Sequence, residues 1–169
     1  MNPLSTLFFL LVFFPVETSH AGDTDASSNQ KGNITVQLSG FENDEGAVKL
    51  CVSRSEDEYT GKIRAFRTAS TALKSKRAEW IFANMPYGSY NIKAFHDENG
   101  NNKLDTNFWG IPTESYGFSN NTDGQFGPPP FSKTTFTINS PELVIEIDND
   151  MGKVLHCLAY YGKVQSVLL

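Results

Sequence analysis

The chain is poor in charge: Asp, Glu, Lys and Arg make up 20% of its 169 residues, and the formal net charge is -5. Binding nucleic-acid phosphates demands a clustered basic face, which this balance does not supply. The densest basic spot, Lys74, Lys76 and Arg77, reads as a solvated turn. Cysteine is scarce as well, with only Cys51 and Cys157. An oxidising compartment would permit a disulfide between them, and two unpaired thiols are the alternative; spacing alone leaves both open. No Cys and His set has zinc spacing, and His156 beside Cys157 does not make one. A Gly-x-Ser-x-Gly elbow and a Gly-rich phosphate loop are both missing, which removes two common routes to catalysis. The one long apolar run, Leu7–Pro15, is too short to span a bilayer comfortably.

That run has the length of a secretory h-region, and Ser19 and Ala21 set small residues for cleavage before Gly22. Residues 1–21 therefore read as a signal peptide, although no Lys or Arg precedes the run. An uncleaved anchor is the alternative. With no cysteine near the cleavage point, the pattern argues against a lipoprotein. The expected location is periplasmic or secreted, with no membrane span after signal cleavage. Residues 22–32 are polar and read as a flexible leader. Residues 33–148 form the candidate domain, which at this size can bury roughly two-thirds of its unfolded surface. Residues 149–169 are a tail for which a strand, a helix and a loose extension all remain open.

Within the domain the signal is alternation. Ile34, Val36 and Leu38 alternate with polar residues, and Val48, Leu50 and Val52 do so after Asn43-Asp44-Glu45-Gly46. The pair reads as a β-hairpin. Ala78, Trp80 and Phe82 follow, then Tyr90, Ile92 and Ala94, then Thr134, Phe136 and Ile138, then Leu143, Ile145 and Ile147. A further strand fits between Ile63 and Leu73, and Glu56–Phe66 has the only helix-like period. The sum is an all-β fold, an antiparallel β-sandwich of about seven strands. The stretch from Glu98 to Phe131 is too long for a plain connection and too aromatic for disorder, so one long ordered loop is expected.

Asp97, Asn99, Asn101 and Asp105 place side-chain oxygens at alternating positions of one short loop. Calcium takes six to eight oxygens, and such spacing lets a chain curl around one ion. The Lys103 carbonyl would supply a backbone ligand, Leu104 would tether the loop to the core, and Gly100 and Asn102 tolerate left-handed backbone. The twelfth position is Phe108 rather than a bidentate glutamate, so a ligand from elsewhere is needed, with Glu114 and Asp123 as candidates. The expected affinity is weak, roughly 0.1–1 mM. The competing reading is an Asx-rich turn held by its own hydrogen bonds with no metal. Downstream, Trp109, Tyr116 and Phe118 are candidates to stack on a carbohydrate or anchor a protein ligand; a satellite core beneath the loop is their plainer role.

The run His96-Asp97-Glu98-Asn99-Gly100-Asn101, Lys103 through Phe108, Gly110 through Glu114, Tyr116 through Asn121 and Phe126-Gly127-Pro128-Pro129 resembles the bacterial family called domain of unknown function 2141. Met85-Pro86-Tyr87-Gly88-Ser89-Tyr90 is similar to that family's Leu-Pro-Pro-Gly-x-Tyr turn. The resemblance covers Ile34 to Asp148 and departs where Asn102 stands in place of the usual glycine. It implies an exported protein with a transthyretin-like or carboxypeptidase-regulatory-like sandwich, and no activity to carry over.

Three functional expectations follow. One is a non-enzymatic, calcium-stabilised module for binding or envelope structure. A second is a small extracytoplasmic hydrolase using Asp97, Glu114 or His96 as acid–base groups. A third is an accessory domain of a surface or transport assembly. Asn33-Ile34-Thr35 and Asn120-Asn121-Thr122 fit the glycosylation sequon, which sequence alone leaves unread.

Overall fold

The computed structural model describes residues 30–123 and 127–149. The signal-like segment 1–21, most of the leader, Phe126, Cys157 and the tail from 150 onward lie outside the described residues. Eight strands run in chain order: β1 Lys31–Ser39, β2 Ala47–Ser53, β3 Arg67–Thr71, β4 Ala78–Pro86, β5 Gly88–Asp97, β6 Tyr116–Phe118, β7 Phe136–Ile138 and β8 Glu142–Asp148. Two short α-helices, α1 Glu56–Thr60 and α2 Phe131–Thr134, and a 3-10 turn at Ser119–Asn121 complete the described elements.

The strands form two sheets, ordered β4-β1-β8 and β3-β2-β5-β6, with β7 pairing the start of β5. Each sheet turns one apolar face to the other. Ile34, Val36 and Phe82 of the first meet Val48, Leu50, Tyr90 and Ile92 of the second, and all are buried. Burying each such side chain fully contributes about 1.5–3 kcal/mol, and this face-to-face layer is the core of the sandwich.

The expected β1–β2 hairpin does not form. β1 pairs with β4 and β8, whereas β2 pairs with β3 and β5. Both strands bury one apolar face, and they satisfy it by stacking across the core instead of pairing edge to edge. The 40–46 link carries the chain from one sheet to the other. A second difference is that β1 and β8 run parallel, from Asn33 opposite Glu142 to Ser39 opposite Asp148. The strand between Ile63 and Leu73 is present as β3, and the leader ends earlier than expected because Lys31 already pairs with Pro86.

Local chemistry explains the joints. Asn84 sits at φ 56° and leaves two β4 residues opposite Asn33, whose side chain accepts the Asn84 N–H at 3.1 Å. That bulge bends the edge strand over the core. Ser55 caps α1 by accepting the Glu58 N–H, and Gly61 closes the helix in the left-handed region at φ 79°. Tyr59 then donates to the Pro129 carbonyl at 2.8 Å and packs edge-on against Phe131. Ser119 pins the far side of the long loop: its Oγ accepts the Ile92 N–H at 3.0 Å and donates to the Thr134 carbonyl.

Burial holds the phenols of Tyr59, Tyr90 and Tyr116 above their ordinary value of 10.0. The fold shelters the neutral form, so this contribution is complete below pH 10.0 and is lost as pH rises through the elevated folded values. Melting temperature should stay level to about pH 10 and fall above it, with phenol absorbance lagging that of the unfolded chain. A melt unaffected up to about pH 11.5 would contradict this.

Candidate functional site

The acidic loop springs from the end of β5. Alternation along this strand sends His96 toward the core and Asp97 to the opposite, outer face, and both are fully buried. The His96 ring packs edge-on against Phe41, with Nε2 2.6 Å from the Glu45 carbonyl and Nδ1 3.4 Å from Glu98 Oε1. His96 and Asp97 therefore do not converge on one cleft.

Asp97 is buried because the loop folds over it. Its Oδ2 accepts the Asn102 N–H at 3.1 Å and lies 3.4 Å from the Lys49 ammonium, while Oδ1 is buried without a hydrogen-bond partner. Lys49 also donates to Asn102 Oδ1 at 2.8 Å. Asn99 Oδ1 accepts the Asn101 N–H, and Asn101 Oδ1 accepts the Lys103 N–H, two successive Asx turns. The amides of Asn99 and Asn101 both donate to the Asp105 carboxylate, at 2.6–3.0 Å. Gly100 at φ 76° and Asn102 at φ 62° give the curl its left-handed steps. Positions 99, 101 and 105 are thus in mutual contact, with Asp97 tied to them through Asn102.

Glu114 clamps the base of the loop. Its Oε1 accepts the Glu98 N–H at 3.0 Å and its Oε2 the Asp105 N–H at 2.9 Å. One carboxylate thereby joins the entry and exit of the curl. Among the described residues, no three His, Cys, Asp or Glu side chains converge as a ready metal cage. A hard cation here would draw on Asn and backbone oxygens alongside Asp97 and Asp105. Gly46 approaches the same strand end so closely that a Cβ there would stand 2.0 Å from the Asp97 carbonyl oxygen.

The three aromatic candidates separate. Trp109 pairs edge-on with Phe108 at the tip of a small turn closed by Thr106 and Pro112, and both rings are exposed, Phe108 by 93% and Trp109 by 72%. Tyr116 and Phe118 instead lie together on β6, centroids 5.8 Å apart, on the outer face of the five-stranded sheet.

They edge a groove of about 790 Å³. Strand register lays its floor in two rows, Ser70–Lys49–Phe95–Tyr116 and Thr68–Cys51–Lys93–Phe118. Leu104 and Asn102 of the acidic loop line it too, as does Pro128. Leu104 therefore borders this outer groove and does not anchor the loop in the inter-sheet core, because Asp97 and everything it covers lie on the outer side of β5. Phe95, Lys49 and Lys93 sit in no motif that marks them in the sequence, and Cys51 enters there only as a possible disulfide partner. Phe95 was the available signal, an aromatic at an outward position of an alternating strand. Asp123, the other proposed outside ligand, is an exposed residue beyond β6.

Among curated proteins and among solved structures no match is found. The family match runs past Asp148, where the resemblance was expected to end, into the tail outside the described residues. The matching model is described as an uncharacterised protein conserved in bacteria, DUF2141; it takes in residues 36–158, and the chain belongs to that family.

Proposed function

We propose that the chain is a non-enzymatic binding module of the periplasm or extracellular space, in which a calcium ion steadies the acidic loop beside a ligand surface. The observation that carries this reading is Asp97: a fully buried carboxylate with one oxygen lacking any hydrogen-bond partner. Lys49 pairs with the other oxygen, but a buried carboxylate oxygen without a partner is still costly, and a cation relieves it. The surrounding donors at Asn99, Asn101 and Asp105 and the Lys103 carbonyl are all oxygen, which suits calcium over softer metals. Glu114 supports the loop as a clamp on its amides, with a further lone pair on each oxygen. The ligand would be a protein or a carbohydrate, met by Tyr116 and Phe118 and by the projecting Trp109.

The Asx turns and the Asn–Asp105 bonds favour a second reading, a loop closed by its own hydrogen bonds with no ion needed. A melt decides between the two. Protein stripped with EDTA and brought to about 5 mM calcium should gain about 1–2 kcal/mol if the affinity is roughly 0.1–1 mM, a rise of roughly 3–10 °C. Asp105→Asn should abolish most of that rise. A melting temperature unchanged by several millimolar calcium removes the ion and leaves the self-closed loop.

A further inference from the structure

We infer that the groove on the outer face of the five-stranded sheet takes a small amphipathic anion: an apolar, aromatic-sized body bearing one acidic group. The inference rests on the binding-module reading but not on calcium. A volume of about 790 Å³ accommodates a molecule of that class. Phe95, Tyr116, Phe118 and Leu104 offer an apolar bed at one side, and the Thr68 and Ser70 hydroxyls stand at the other.

The charge comes from comparing two lysines. Lys49 and Lys93 both line the groove, in adjacent rows of its floor. The Lys49 ammonium is already neutralised by Asp97 and held by Asn102. Lys93 reaches the other way, donating to the Tyr59 carbonyl and standing 4.7 Å from the Tyr59 ring centroid. Among the described residues no carboxylate lies within ion-pairing distance of it. A half-buried ammonium has three donors, and a neutral carbonyl and a ring face leave its charge uncompensated. An anionic group on the ligand completes it, so the floor has one neutralised lysine and one that selects for charge.

The test uses two fluorescent probes of nearly the same shape on the full chain, once in EDTA and once in calcium. One is anilinonaphthalene sulfonate, an anion; the other is the neutral N-phenyl-1-naphthylamine. The anion should bind about tenfold tighter than the neutral dye, and Lys93→Gln should erase that preference while Lys93→Arg keeps it. Ser70→Trp, at an exposed floor position, should fill the groove and weaken both dyes. Bound anion should also slow alkylation of Cys51 in the unmutated protein kept under reducing conditions, read by peptide mass mapping, which serves even if a variant folds poorly. Equal affinity for the two dyes, or anion binding that ignores both Ser70→Trp and Cys51 protection, overturns the assignment. Binding that persists in EDTA keeps the groove even when the calcium proposal fails.

Discussion

Glu114→Ala should destabilise the domain by about 2–4 kcal/mol, because it removes two hydrogen bonds to a charged acceptor and strands two backbone donors. The residue is only 6% exposed, and its two carboxylate oxygens take the Glu98 and Asp105 amides, one at each end of the acidic curl. Water can replace part of what is lost, since both amides are only part-buried, which sets the lower bound. Glu114→Gln retains one carbonyl oxygen and turns a donor toward the other amide, so about half the loss is expected. Urea unfolding measures the total, and hydrogen exchange at the Glu98 and Asp105 amides localises it. If the alanine variant unfolds within about 0.5 kcal/mol of the parent, the clamp is not what closes the loop.

Gly46→Ala is expected to be at least as damaging. Gly46 has φ 63°, where a side chain costs about 1 kcal/mol, and its Cβ would meet the Asp97 carbonyl oxygen at 2.0 Å and the Glu98 Cα at 2.8 Å. Both obstacles are backbone, so no rotamer change relieves them. The end of β5 must move, and a total of about 3 kcal/mol or more is expected, a fall in melting temperature of roughly 10 °C or more. The displaced residue is Asp97, so the same variant should blunt any calcium response. A Gly46→Ala protein that melts like its parent would mean the 40–46 link can slide freely past the loop.

Alternation in the sequence marked nearly every strand, because residues such as Val48, Leu50 and Val52 must share one buried face whatever their neighbours are. The same alternation says nothing about which strand lies alongside. Val36 has the same pattern whether its partner is Trp80, Ile145 or, as the short link suggested, a residue of β2. Strand direction is hidden for the same reason, so the parallel β1–β8 pair left no trace. The Asx-rich loop was legible because its oxygens recur at fixed steps. Glu114 was legible only as an acidic residue nearby, and its function as a clamp emerged from where β6 brings it. The groove was hidden because Lys93, Thr68 and Ser70 look like any solvated face until Tyr116 and Phe118 are laid beside them.

The adjacency of the first and last described strands governs the order of assembly. β1 has one neighbour, β4, about forty to fifty-five residues away and the other, β8, about 110 away, so the three-stranded layer stays incomplete until the chain reaches Asp148. The β2–β3–β5 layer closes from much nearer segments and can form a template first. Closing a long loop is entropically demanding and must precede the contacts that reward it, so the final zippering of β8 against β1 should govern the speed of folding. A ribosome-bound chain cut short before Glu142 would hold β1 with a bare edge.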